Sequence, residues 1–212
     1  MGQLETLSFT GRPLVICDVD EVIVHFTRDF ESFIGDRGLW LDTSSFALNG
    51  NIRHRDGGRP ATEAQVAQLI SDFFDERTRH LAPIDGAIDS LLHIAETADV
   101  VLLTNLPHTS GDHRRENLAG HGLSFPVVTN SGPKGPAISD LVKRSKQQAA
   151  VFIDDSPAFI SSAYDHAPDV HLVHFLHDER FSRHIEPLDF VSLRTASWTE
   201  AKPHILGLIG GA

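Results

Sequence analysis

Four short stretches of this 212-residue chain bring together residue types that could do chemistry as a set. Asp18 and Asp20 stand one residue apart after the apolar run Leu14-Val-Ile-Cys17. Along an extended backbone that spacing puts both carboxylates on one face. Thr104-Asn105 closes the run Val100-Val-Leu-Leu103, Lys134 follows Ser131-Gly-Pro, and Asp154-Asp155 closes Ala149-Ala-Val-Phe-Ile153. Apposed carboxylates coexist only with a cation or a proton between them. A hard divalent ion with oxygen ligands, Mg²⁺ by preference, meets that need. One carboxylate could then act as nucleophile while its neighbour moves a proton. The Lys134 ammonium and the Thr104 hydroxyl suit the oxygens of a phosphoryl group, whose charge must be stabilised during transfer.

Such a set works only if the fold gathers it. Short apolar runs bounded by polar residues predict strands at Leu14–Cys17, Asp99–Asn105, Pro126–Thr129, Ala149–Ile153 and Val170–Phe175. Between the later ones, helices are expected near 86–98, 112–121, 136–146 and 156–166. Strands alternating with helices predict an α/β, doubly wound, Rossmann-like parallel sheet. In such sheets ligands bind at the carboxyl ends of the strands, which is where all four stretches fall.

Residues 22–81 break that rhythm. Phe26, Phe30, Phe33 and Ile34 recur at helical spacing until Gly35 and Gly38. Val66, Leu69, Ile70, Phe73 and Phe74 form a second helical stripe, with Pro60 and Thr62 as its start signals. The polar stretch between them, 42–59, is too long for a structureless loop in a compact domain and points to a hairpin. The aromatic stripes are read as core. The expected organisation is a core of 1–21 and 82–212 with a mostly helical insertion, 22–81, after the first strand.

Composition removes several function classes. Eighteen Lys and Arg against 29 Asp and Glu leave a net charge of −11, which argues against a partner that is a nucleic-acid polymer or an anionic membrane. The single cysteine, Cys17, excludes an internal disulfide or multi-thiolate metal site and is read as a packed strand residue. Apolar stretches of about five residues are too short to span a bilayer, and no basic start leads into an apolar segment. A soluble, cytoplasmic protein is expected. His171 and His174 lie three apart on a strand and so face opposite sides, which disfavours a histidine metal site. Asp112-His-Arg-Arg-Glu116 is read as a solvated charge run. Arg53, His54, Arg55 and Arg59 form a basic cluster, either gripping a polar part of a substrate or lying in a solvated loop. Glu21, next to the acidic pair, is a further candidate for substrate contact.

Together the four stretches resemble the sequence motifs of the haloacid dehalogenase-like (HAD) superfamily, in order. Asp18-Val-Asp20-Glu21-Val22 after its apolar run is similar to the first motif, Val-Leu-Leu-Thr104-Asn105 to the second, Lys134 to the third and Val-Phe-Ile-Asp154-Asp155 to the fourth. The resemblance covers roughly 14–175, and the long stretch before Thr104 suits a cap of the C1 type. It implies a phosphatase in which Asp18 becomes an aspartyl-phosphate and Asp20 serves as acid and then base. It also implies that Thr104, Asn105 and Lys134 hold the phosphoryl oxygens. Mg²⁺ would be bound by Asp18, the Asp20 carbonyl and Asp155, with or without Asp154. The presence of Asp20 separates the chain from haloacid dehalogenases, and the lack of any lysine before Lys134 from phosphonatases. The expected substrate is a small phosphomonoester of sugar phosphate or nucleotide type. A protein or peptide phosphatase, a phosphotransferase of the same fold and a non-catalytic phosphate-binding module are the alternatives.

Overall fold

The computed structural model describes residues 2–146 and 149–210. In chain order the elements are α1 (Gly2–Glu5), β1 (Leu14–Cys17), α2 (Thr27–Gly35), β2 (Leu39–Leu41), β3 (Ile52–His54), α3 (Glu63–Arg77), α4 (Ala87–Ile94) and β4 (Asp99–Asn105). They continue with α5 (Gly111–Gly120), β5 (Val127–Asn130), α6 (Gly135–Ser145), β6 (Ala150–Asp154), α7 (Pro157–His166), β7 (His171–Phe175), α8 (Glu179–Ser182), β8 (Leu193–Thr195) and α9 (Trp198–Gly210).

Six strands form one parallel sheet in the order β5-β4-β1-β6-β7-β8. This is the doubly wound α/β fold expected from the alternation. Because successive strand residues point to opposite faces, β1 divides its side chains between two cores. Val15 and Cys17 pack with Leu91, Leu118, Trp198 and Ile205 on one face. Leu14 and Ile16 pack with Ile138, Leu141, Ile160 and Ala163 on the other. All four β1 side chains are fully buried, so Cys17 is the packed strand residue its neighbours predicted.

The chain runs from β1 outward through β4 to β5, then crosses back to β6 on the other side of β1. That reversal lies between β1 and β6, the place where open α/β sheets leave a crevice beyond the strand ends. Asp18 follows β1 and its backbone N–H donates to the Ile153 carbonyl at 2.9 Å. Asp154 ends β6. The two acidic motifs therefore flank the crevice.

Between β1 and α4, α2 and α3 meet through aromatic side chains. The Phe73 ring lies edge-on to Phe30 and Phe33, with centroids 5.3 and 5.5 Å apart, an arrangement that ring quadrupoles favour. Thr62 caps α3 through a reciprocal pair of bonds with Gln65, as the start signal indicated. The expected hairpin exists, but its strands are Leu39–Leu41 and Ile52–His54, so the first precedes the polar segment. Past Phe175 no element was expected, and β8 and α9 lie there. They extend the core past residue 175, and the Trp198 Nε1–H donates to the Val22 carbonyl at 2.8 Å. No helix among the described residues is long and apolar enough to cross a membrane.

Candidate active site

Lys134 is the hinge of the constellation. Its Nζ lies 2.7 Å from Asp18 Oδ1 and 2.7 Å from Asp154 Oδ2, and the ammonium is fully buried. Burial alone would lower the Lys134 pKa, but the two carboxylates outweigh it and hold the group protonated. Local geometry explains how a lysine reaches this place. It immediately precedes α6, and α6 sits close on α7 because residue 135 is glycine. A Cβ there would collide with the Ser162 backbone carbonyl, while the Gly135 N–H donates to Ser162 Oγ at 3.0 Å.

Asp18, Asp154 and Asp155 each place a carboxylate oxygen within 4.8 Å of the others. Asp154 is fully buried and spends its oxygens on Lys134 and on the Ser156 backbone N–H, 2.8 Å away. Asp155 keeps some exposure and lines the cavity in front of Asp18. Burial first, then the charges of Asp154 and Asp18, push the Asp155 carboxyl well above its ordinary range. Three carboxylates against one ammonium leave an excess of negative charge in a set of hard oxygen donors. That chemistry fits Mg²⁺.

Asp20 turns away from this cluster. Its Oδ1 lies 2.5 Å from Nη2 of Arg114, and the Thr104 hydroxyl lies 3.4 Å from its Oδ2. Burial raises the Asp20 pKa, Arg114 opposes the shift and Asp18 adds to it. Arg114 belongs to the run read as a solvated helix face, and here that reading is wrong: the side chain is 0% exposed. It points inward from α5, where a buried guanidinium needs the carboxylate it finds. A basic residue on the first helix after the Thr104 strand, with no acid at helical spacing on the inward side, was the available signal.

Glu21 stands at φ 60°, a left-handed conformation unusual for a residue with a side chain. Its Oε1 accepts from the backbone N–H groups of Phe26 (2.7 Å) and Thr27 (2.5 Å), which start α2. Its Oε2 lies 2.7 Å from His177 Nε2, beyond β7. Burial raises the Glu21 pKa, but the bonds from His177 and the two amides outweigh it and leave the carboxyl below its ordinary range. Glu21 thus ties the start of α2 to the chain beyond β7, a role the sequence did not disclose. His174 is buried, with Nε2 2.9 Å from the Asp155 carbonyl, whereas His171 is exposed.

The Asn105 side chain donates to the Gly132 carbonyl at 2.9 Å and accepts from Asn130 at 2.9 Å. It fastens the end of β4 to the loop before Lys134 while lining the cavity. The cavity lining does not include Arg53, His54, Arg55 or Arg59. Arg53 bonds Asp42 and the Gly58 carbonyl, and Arg55 the Leu39 carbonyl, so they tie down the β2–β3 hairpin. The cavity itself encloses about 360 Å³, at the lower end of the ~300–1,000 Å³ typical of small-molecule sites.

No family profile and no curated protein matches the chain. Solved structures do. YfnB from Bacillus subtilis, described as a HAD-hydrolase bound to magnesium, is 16% identical with a TM-score of 0.64, over 92% of this chain and 98% of that one. A haloacid dehalogenase-like family hydrolase from Streptococcus pneumoniae is 12% identical with a TM-score of 0.62, over 91% and 98%. A phosphoserine phosphatase captured as a phospho-aspartyl intermediate analogue is 11% identical with a TM-score of 0.53, over 88% and 94%. The chain has the same fold.

Proposed function

We propose that this chain, folded like the haloacid dehalogenase-like hydrolases, is a Mg²⁺-dependent phosphatase that hydrolyses a small phosphomonoester through an aspartyl-phosphate on Asp18. One observation carries the reading: the buried Lys134 ammonium bridges Asp18 and Asp154 at 2.7 Å each, beside the cavity that Asp18 and Asp155 line. A carboxylate neutralised on one side and open on the other is placed for in-line attack.

Asp18 and Asp155 would hold Mg²⁺, with the Asp20 carbonyl and Asp154 completing or supporting the set. When bound, the ion supplies positive charge to offset that of the phosphoryl oxygens and the attacking carboxylate. An Asp18 oxygen attacks phosphorus as the bond to the ester oxygen breaks, and Asp20 delivers its proton to that oxygen. Asp20, now ionised, takes a proton from water. The water oxygen then attacks phosphorus, releasing Asp18 and inorganic phosphate. Lys134 holds Asp18 in place, Arg114 holds Asp20, and the Thr104 hydroxyl, near the end of β4, donates to Asp20 at 3.4 Å. Residues 22–81 act as a cap over a core of 1–21 and 82–212, excluding bulk water from the aspartyl-phosphate.

The test is phosphate release from acetyl phosphate and a panel of phosphomonoesters, with and without Mg²⁺, for the native chain and Asp18→Asn. Mg²⁺-dependent release that disappears in the variant is expected. Turnover persisting in Asp18→Asn overturns the aspartyl route. No turnover on any member, with no Mg²⁺ binding, makes the chain a binding module. Transfer to an acceptor without free phosphate makes it a phosphotransferase.

A further inference from the structure

Resting on the phosphatase reading, the walls of the same cavity say what the leaving group is. The insertion contributes Phe26, Phe46, Leu48, Ile70 and Phe74 to the lining, and the core adds Phe181. Phe26 and Phe74 lie with ring centroids 5.7 Å apart. Phe46, more than a third exposed, meets Phe181 edge-on at 5.9 Å, joining insertion to core. Among the aromatics of this segment, Phe30, Phe33 and Phe73 fill the core as expected, while Phe26 and Phe74 also line the cavity.

Charge points the same way. Besides Asp18, Asp20 and Asp155, the titratable side chains of the lining are Glu21, His177 and Asp178. His177 is bonded to Glu21. Arg180, the neighbouring arginine, is occupied by Asp178 and by Glu31, with Nη1 2.9 Å from a Glu31 oxygen. No lining arginine or lysine among the described residues is left to grip a second phosphate or a carboxylate, and Glu21 and Asp178 would repel one. A sugar, for its part, needs hydrogen-bond partners for each buried hydroxyl, and apart from Thr27 the face contributed by the insertion offers aromatic and aliphatic carbon.

We infer that the substrate is the phosphomonoester of an aromatic or branched aliphatic alcohol with no second anionic group, rather than the sugar phosphate or nucleotide suggested by sequence. The phosphoryl group sits at the carboxylates, and the apolar body is buried against Phe26, Phe46, Leu48, Ile70 and Phe74.

Leaving-group basicity must be matched, so aryl phosphates are unsuitable probes. The experiment compares kcat/KM for 2-phenylethyl phosphate, glucose 6-phosphate, adenosine 5′-phosphate and phosphoglycolate, all phosphates of alkyl alcohols, with acetyl phosphate as a probe needing no apolar pocket. The phenylethyl ester is expected to lead by at least about tenfold, the lower range of what hydrophobic pocket contacts give. In Phe46→Ser, a partly exposed position whose effect on the fold is read from acetyl phosphate turnover, the ratio of phenylethyl to glucose ester is expected to fall about tenfold. Acetyl phosphate turnover together with an equal or greater rate for any of the other three esters overturns the inference and leaves the phosphatase reading standing. If neither acetyl phosphate nor any ester is turned over, both fall.

Discussion

Arg114 Nη2 lies 2.5 Å from Asp20 Oδ1, and the guanidinium that makes this contact is wholly removed from solvent. Two further nitrogens of the same side chain, Nε and Nη1, have no hydrogen-bond partner. Asp20 is therefore the charge that justifies burying an arginine, and the arginine in turn fixes where the Asp20 carboxyl points.

Breaking this pair from one side is expected to cost about 3–5 kcal/mol, the usual consequence of leaving a buried charge uncompensated. Urea denaturation of Arg114→Met should show the loss, and Asp20→Leu added to it should recover most of the stability because no charge is then stranded. A single variant as stable as the native chain would refute the account.

Mg²⁺ is expected to raise the melting temperature. At a concentration of 100 times its Kd, binding to the folded state alone adds about 2.7 kcal/mol. For a chain of this size roughly 2–4 °C accompany each kcal/mol, so a rise of about 5–10 °C should appear in a thermal scan. Asp155→Asn removes a carboxylate from the three-oxygen cluster and should abolish most of the rise. A rise unchanged in Asp155→Asn would place the ion elsewhere.

Gly135→Ala is expected to harm the site from outside it. The added methyl collides with the Ser162 carbonyl, so α6 must move off α7, and overpacking of this kind costs about 1–3 kcal/mol. Lys134 precedes that helix and moves with it, so phosphate release should fall along with the melting temperature. Retained activity and stability would mean that the helices can shift without cost.

The Asp178 carboxyl supports the loop after β7 in a pH-dependent way. Burial raises its pKa, but hydrogen bonds from the Arg180 side chain and backbone outweigh that and leave it below the ordinary carboxylate range. A depressed value in the folded state stabilises above the unfolded pKa of about 3.9 and is lost as pH falls through the folded value. The stability gap between the native chain and Asp178→Asn should thus be constant from pH 7 to about 5 and close below about 4. A gap that widens in acid would contradict the sign.

Much of this was legible in the residues themselves. The strands after Leu14 and Asp99 begin where their apolar runs begin, because a buried parallel strand must be apolar on both faces and polar where it emerges. Lys134, Asp18 and Asp154 come together because parallel strands bring their carboxyl ends to one edge, so order and strand identity were enough. Phe30, Phe33 and Phe73 were recognisable as core from spacing alone.

What remained depended on direction. Whether Arg114 in Asp112-His-Arg-Arg-Glu116 faces solvent or Asp20 is a matter of helix rotation, which a polar run without an apolar stripe does not encode. Arg53 and Arg55 could be read either as substrate ligands or as solvated loop charges, because charge in a loop has no preferred partner until the hairpin closes and gives them Asp42 and the Leu39 carbonyl. Glu21 meets His177 across 156 positions of sequence, and Glu31 meets Arg180 across 149, only when the chain around α2 folds back onto the end of β7. Local pattern determined the sheet, its polar edge and the acidic cluster; long-range packing alone decided which charges pair, and that pairing leaves the cavity wall apolar.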